Sequence, residues 1–524
     1  MSKQITPLNL ELVEKTLDPD RPNRLCISLS DIHLTDGSVG FQNLGQHTWD
    51  AFYSGIVARC KNYAIEEMDF ILDGDVVDMI RTDKWAIHGV YPWQREGEYA
   101  ERFSSIVNEI IRDIVDDKHK EFFAWLRDLP QKLKDDAGVK KVNVVVLLGN
   151  HDKELFCDQK ALGYFYEQGL GQKLEDIPQD YRRAIGRMYG DESMFANKNS
   201  APYLPFYYGD RGFRFFTTHG QWRDKENSRS VKPRSGLPGW SAKQGWQNEV
   251  WKKLKFSPFF LPCFGDTVAA GVLSTFIYKS HQKLDELKYD DPRLRSILNE
   301  LDLYRPTYKA LTRLLEETKS RRKEKQDVDV IRAIENTLYS CVIEWLNWGF
   351  TYQSSSWSRA LLLRVVKIKL KIMKAIGFRL EIKTIAAFLK LLNLFERWNP
   401  YHKTGVSFKE MEGFPAFMPE YQHYGFHIHG EGHTHLPLQE EGNFAGQNAS
   451  TYINFGTWRD QIVSRKKSGY RRRSVLRALF ILDLKDTTAG ATAGSRSFNY
   501  YTDDIIHWSD KSDSFTLGSY QPHI

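Results

Sequence analysis

Cysteine is scarce in this chain of 524 residues: Cys26, Cys60, Cys157, Cys263 and Cys341 are odd in number and show no paired spacing. That fits a reducing compartment better than a disulfide framework, so a cytoplasmic location is expected, with a peripheral place at a membrane as the alternative. A bilayer span is also missing, since the apolar stretch Thr267–Tyr278 is only a dozen residues long. The polar, mildly acidic amino-terminal stretch running into Leu17-Asp18-Pro19-Asp20-Arg21-Pro22 does not read as a signal peptide. No internal repeat and no low-complexity segment stands out. Nor is there a large excess of one charge: a net +6 permits anionic partners without requiring nucleic acid. With 41% hydrophobic and 27% charged residues, the chain reads as a globular protein of more than one domain-sized unit.

What is present is an ordered series of five short polar motifs, each just past an aliphatic or aromatic run. Asp31-Ile32-His33 follows Leu25–Leu29, and Gly74-Asp75-Val76-Val77-Asp78 follows Met68–Leu72. Gly149-Asn150-His151-Asp152 follows Val142–Leu148, Thr218-His219-Gly220 follows Phe213–Phe216, and Gly432-His433-Thr434-His435 follows Phe426–Ile428. Such runs read as buried strands. Polar groups at the carboxyl ends of strands lie where α/β folds place their ligand sites. Histidine and carboxylate without cysteine suit divalent ions such as Mn²⁺, Fe²⁺ or Zn²⁺. The candidate ligands are Asp31, His33, Asp75, Asn150, His219, His433 and His435. Seven groups exceed what one tetrahedral zinc takes. Two ions sharing a carboxylate would use them all, and metal pairs roughly 3.5–4 Å apart are a recurring device for attacking phosphate esters.

The series D-x-H, G-D-x-x-D, G-N-H-D, isolated His and G-H-x-H resembles the calcineurin-like metallophosphoesterase superfamily over roughly residues 24–225 and 424–505. Tyr452–Trp458 also resembles the strand and turn that follow G-H-x-H in bacterial members. The resemblance implies a four-layer α/β/β/α sandwich of two mixed β-sheets. It implies that Asp31, His33 and His435 hold one metal, that Asp75 bridges, and that Asn150, His219 and His433 complete the second site. His151 would then protonate the leaving oxygen or steady charge in the transition state, oriented by Asp78. The nucleophile would be a water or hydroxide held between the ions.

Other readings stand beside these. Asp78 also reads as a helix-start residue, Asp152 as a brace of its turn, and His427 and His429 as structural. Trp458, Arg459 and Asp460 are candidates to rim the site. The superfamily's protein phosphatases usually place a phosphate-clamping Arg after G-D-x-x-D; here Met79 stands there, with Arg81 close by, which counts against a protein Ser/Thr phosphatase.

The gap between His219 and His433 is far too long for a connecting loop. Residues 1–225 and 419–524 are therefore expected to form the core, interrupted by a mainly helical insertion at 226–418 that acts as lid, partner surface or membrane-surface subdomain. Residues 80–135 read as helices that could roof the site, 290–350 as helical, and Arg465–Arg477 as a basic loop before strands at Ala478–Leu484 and Ser497–Thr502. Within 359–397, Arg364, Lys367, Lys371 and Lys374 mark one stripe of an amphipathic helix, although Val366–Ile372 also alternates like a strand. The segment fits a helix packed on the main domain or a second copy, an interfacial helix on anionic lipid, or a basic wall that guides an anionic substrate. The expected activity is hydrolysis of a phosphomonoester, phosphodiester or pyrophosphate bond in a small-molecule or nucleotide substrate. Alternatives are a lipid-linked pyrophosphate hydrolase resembling the UDP-diacylglucosamine hydrolases, a nuclease of the DNA-repair type, a protein phosphatase, or a non-catalytic scaffold. Nucleic acid is not favoured as partner, for want of an Arg and aromatic track.

Overall fold

Alternation along the first strands sorts their side chains into two cores. The computed structural model describes residues 17–40, 44–191, 198–224, 226–228, 240–241, 245–246, 256–305, 308–320, 325–376, 411, 414–417, 425–443, 449–464, 469–487 and 494–509. In β1 (Arg24–Leu29) and β2 (Glu67–Leu72), Leu25, Ile27, Leu29, Met68, Phe70 and Leu72 pack with the helices Gln46–Asn62 and Lys120–Ala137. Their neighbours Cys26 and Ile71 point the other way, into a second core.

β1, β2 and β3 (Lys141–Val146) are parallel, and β1 pairs antiparallel with the long β13 (Tyr470–Lys485). β13 also pairs with β12 (Gly456–Ser464) and β14 (Arg496–Ser509), while β12 pairs in parallel with the two-residue β8 (Tyr304–Arg305). The second sheet runs in the order β10 (Leu438–Asn443), β11 (Ala449–Asn454), β9 (Ile428–Glu431), β5 (Phe215–Thr218), β4 (Tyr207–Asp210). Its β11–β9 and β9–β5 pairs are parallel and its outer pairs antiparallel. A short ribbon, β6 (Trp240–Ser241) with β7 (Gly245–Trp246), stands apart. Both large sheets are mixed, and the chain is of the α/β class.

The sheets face each other. Cys26, Ile71, Leu147, Leu479 and Ile481 of the first meet Tyr208, Phe215, Ile428 and Ile453 of the second. A polar knot at the amino ends locks their register: Arg24 bonds Asp210 (2.8 Å) and Asp69 (3.3 Å), and Asn143 and Tyr208 donate to Asp69 at 2.6 and 2.7 Å.

The insertion has a core of its own, with Ile277, Leu284, Leu298, Leu314, Ile334, Leu338, Leu363 and Leu370 drawn from its helices. It is nonetheless tied to the sheets. β8 extends the first sheet, and Asp302 accepts from Arg81 (3.0 Å) and Arg459 (2.8 Å). The buried Lys153 Nζ lies 2.5 Å from Asp266. Leu301 and Leu303, expected in a helix, form one 3-10 turn that leads into β8. The expected domain boundaries at 225/226 and 418/419 adjoin or fall on residues outside those described, as does the 377–397 part of the basic segment.

Two expectations change. Most of the basic Arg465–Arg477 stretch is not a loop, because β13 begins at Tyr470 and its Arg472 and Arg477 find carboxylates on neighbouring strands and in the insertion. Arg472 bonds Asp460 (3.0 Å) and Glu300 (2.6 Å), and Arg477 bonds Asp504 (2.7 Å). Trp125 of the 80–135 helices does not overhang the strand ends; it packs beside Trp49 and Phe70 on the helical face of the first sheet. The alternating Val366–Ile372 run is helical, within Trp357–Ala375, as the spacing of its basic stripe indicates. Among the described residues no helix is long and apolar enough to cross a membrane.

Removing Asp302 would take from the buried guanidiniums of Arg81 and Arg459 a carboxylate that they share. Asp302→Ala is expected to destabilise the protein by about 3–5 kcal/mol, read as a lower urea midpoint with the m-value unchanged.

Candidate metal centre

The parallel register of β1, β2 and β3 sets the loops after them side by side, and β5 with β9 brings two more loops from the facing sheet. Backbone bonds knit the loops together: Asp31 N–H donates to the Gly74 carbonyl (3.2 Å), His33 N–H to Asp75 (2.9 Å) and Gly432 N–H to His219 (3.0 Å). Carboxylates add further ties, from His433 N–H to Asp31 Oδ2 (2.9 Å) and from His151 N–H to Asp75 Oδ1 (2.8 Å).

Strain is concentrated here. Of the eight non-glycine residues with positive φ among those described, five are Asp31, His33, Asp75, His433 and His435, at 51–64°. Such backbone is costly for these residues and persists where surrounding contacts impose it, typically at functional sites. Two glycines permit the crowding. A Cβ on Gly149 would sit 2.2 Å from the Asp75 amide, and one on Gly432 would sit 2.0 Å from Ser30 Oγ. Asp152 braces the turn, accepting from the amides of Asp75 (2.7 Å), Val77 (2.9 Å) and Gly149 (2.9 Å).

Asp31, His33, Asp75 and His435 are buried, and they present ligand atoms all within 4.8 Å of one another. His33 Nε2 is 3.6 Å from both Asp31 Oδ1 and Asp75 Oδ2 and 3.0 Å from His435 Nε2, which lies 3.1 Å from Asp31 Oδ1. This buried cluster could hold a metal ion. On the other side of Asp75, His219 Nε2 approaches Oδ2 at 3.3 Å. The His219 ring lies 5.4 Å from that of His433, whose Nδ1 is 2.9 Å from Asn150 Oδ1. The structure therefore brings together all seven candidate ligands.

Hydrogen bonds turn the imidazoles toward this space. His219 Nδ1 donates to the Asp73 carbonyl (2.8 Å), leaving Nε2 aimed at Asp75. Asp78 serves two rings, accepting from His33 Nδ1 (3.0 Å) and His151 Nδ1 (2.7 Å). Its Oδ1 also accepts from the Arg81 amide (3.0 Å), but the next helix begins only at Lys84, so Asp78 is not a helix-start residue.

Burial alone would raise the carboxyls of Asp31 and Asp75, but the imidazoles around them, His219 foremost, hold both far below the usual range. Burial opposes protonation of His219, yet Asp75 and Asp31 lift it well above an ordinary imidazole. Burial pushes His435 down to about 3 and Asp73 up to about 8. Two ligand atoms remain buried without a hydrogen-bond partner, Asp31 Oδ1 and His219 Nε2. Together with an all-oxygen and nitrogen donor set, they are what a hard or borderline divalent cation fits.

Sequence reasoning missed two groups. Asp224 Oδ2 lies 3.1 Å from His433 Nε2; it stands five residues past His219, a short-range signal that could have been read. Arg305 comes from β8 in the insertion, and no local pattern announced it. Its guanidinium bonds the carbonyls of Asp302 (2.6 Å) and Tyr304 (3.1 Å) and reaches His435 Nδ1 (3.2 Å), with no carboxylate among these partners. Burial first, then Arg81, pulls its pKa down to about 10.

The remaining candidates are placed as follows. His429 is buried against Glu431 (3.0 Å), which pairs with Arg223, so it is structural. His427 is half-buried before β9. Trp458 turns away from the site to stack on Trp49, while its amide donates to the Asp31 carbonyl (3.0 Å). Arg459 and Asp460 are engaged with Asp302 and Arg472. No protein-family model matches the chain, and no curated protein matches it.

Mn²⁺ added to chelator-treated protein at about 100 times its Kd should stabilise it by about 2.7 kcal/mol, seen as a rise in Tm that Asp31→Asn abolishes. Gly149→Ala, with no room for its methyl group, should cost at least about 1–3 kcal/mol and lower the metal content measured by mass spectrometry.

Proposed function

We propose that the chain is a dinuclear-metal phosphoesterase with the four-layer α/β/β/α architecture of the calcineurin-like metallophosphoesterase superfamily. It acts on a phosphomonoester, phosphodiester or pyrophosphate bond of a small-molecule or nucleotide substrate. The observation that carries this reading is the position of Asp75 Oδ2, 3.6 Å from His33 on one side and 3.3 Å from His219 on the other. That is where a carboxylate shared between two sites belongs.

Asp31, His33 and His435 would hold one ion with Asp75; Asn150, His219 and His433 would hold the second with it. Mn²⁺ is the preferred ion, with Fe²⁺ or Zn²⁺ as alternatives. When bound, the ions supply Lewis acidity to the phosphoryl group and an acidified water as nucleophile. Asp78 fixes the Nδ1–H tautomer of His151 and, against the cost of burial, raises its pKa, so His151 is the proton donor to the leaving oxygen. Arg305 takes the part of the arginine absent after Asp78, since a planar fork without a carboxylate hydrogen-bonded to it among the described residues suits a phosphoryl oxygen. Met79 is fully buried in the core. The exposed apolar face of the helix Trp357–Ala375 favours, as a second reading, a lipid-linked pyrophosphate substrate. Dependence of turnover on detergent or vesicles would separate the two.

The test is turnover of a panel of phosphomonoesters, cyclic and linear nucleotides, nucleotide-sugar lipids and oligonucleotides with Mn²⁺. His151→Ala should lower kcat by about 10²–10⁴-fold while metal content stays at the wild-type level. Asp75→Asn should lose both metal and activity, and Arg305→Ala should raise KM. If neither His151→Ala nor Asp75→Asn slows turnover, the assignment is wrong.

A further inference from the structure

The helix Trp357–Ala375 carries three kinds of surface. Leu363, Val366 and Leu370 are buried in the insertion's core. Away from them, Trp357, Leu361, Val365, Ile368 and Ile372 are 49–64% exposed, and Ile376, just past the helix end, is 73% exposed. Steps of four, four, three and four place the first five on one face. Along one edge of that face run Arg364, Lys367, Lys371 and Lys374, with no Asp or Glu anywhere between Trp357 and Ala375. Two tyrosines of the insertion hold the basic edge in place, Arg364 lying 5.5 Å from the Tyr352 ring and Lys374 5.2 Å from that of Tyr339.

Single exposed apolar residues are ordinary. A continuous face of them marks a contact, and half of the twelve exposed large apolar side chains among the described residues belong to this face. A second copy is a poor occupant. A strip on a helix about 28 Å long offers much less than the ~800 Å² per partner of a stable interface, and antiparallel pairing of two copies sets basic edge beside basic edge. A protein groove would need both an apolar floor and an acidic rim. An anionic bilayer supplies both at once, acyl chains for the ridge and negative headgroups for the cations. Trp357 at the helix start is the residue type that seats at such a boundary.

We propose that this face is a membrane-surface contact, the helix lying in the headgroup layer of an anionic bilayer with Leu361, Val365, Ile368 and Ile372 toward the acyl chains. The contact does not depend on the chemistry at the metal centre. It is tested by sedimenting the full-length protein with vesicles of phosphatidylcholine and phosphatidylglycerol, and with vesicles of phosphatidylcholine alone. The protein should pellet with the mixed vesicles, less so as salt is raised, and weakly with the neutral ones. The triple variant Leu361→Gln/Ile368→Gln/Ile372→Gln should bind the mixed vesicles more than about tenfold less tightly. Lys371→Glu should also weaken binding, and both variants should keep the wild-type thermal midpoint because the substituted side chains are exposed. Wild-type protein that stays in the supernatant with mixed vesicles overturns the proposal. So does vesicle binding that the triple variant retains, which puts the lipid contact elsewhere. A wild-type dimer that the triple variant turns into a monomer, without vesicle binding, assigns the face to a second copy.

Discussion

Five carboxylates packed at the ends of β2, β1 and β3 repel one another, and the surroundings are arranged to offset that repulsion. Asp31, Asp73, Asp75, Asp78 and Asp152 are each at most 1% exposed, where an uncompensated charge is expensive. Each is answered differently. Asp152 takes three backbone amides, Asp78 two imidazoles, and Asp73 accepts from Thr217 (2.7 Å) and is pushed by burial toward its neutral form. Asp31 and Asp75 are held ionised by the histidines around them, His219 of the facing sheet foremost. The unanswered remainder is Asp31 Oδ1 and His219 Nε2, two buried ligand atoms that a metal ion could engage. The left-handed backbone of five site residues follows from the same need, because each loop must bend sharply to aim a short side chain inward.

The site was legible where its signal is local. Each motif couples a buried run to a polar turn within about ten residues, and the parallel register then does the long-range work of assembly. Strand limits were less legible. Phe213 lies in the turn ahead of β5, and β13 starts well before the apolar run at Ala478, because its arginines are neutralised by Asp460, Glu300 and Asp504, partners that sequence spacing cannot reveal. Arg305 was hidden for the same reason, being aligned with the site only through a two-residue strand at a sheet edge.

That edge strand makes the insertion part of the site's scaffold. Asp302 shares its carboxylate between Arg81, three residues past Asp78, and Arg459, one residue past the amide that holds Asp31. Lys153, two residues past His151, is buried against Asp266. Swinging these segments away would strip paired charges from each other in the interior, a cost of about 3–5 kcal/mol for each broken pair. Any motion of the insertion must therefore spare these anchors.

The helix Trp357–Ala375 shows why a correct composition can still leave conformation ambiguous. Apolar residues two apart, such as Val366, Ile368, Leu370 and Ile372, lie on one side of a strand but on nearly opposite sides of a helix. A helix with a single apolar face would not produce that alternation; one with two apolar faces does, and here Val366 and Leu370 are buried while Ile368 and Ile372 are exposed. The strand-like pattern is thus the sequence signature of a helix that serves two apolar surroundings. One is the insertion's own core, and the other is the surface for which an anionic bilayer is proposed.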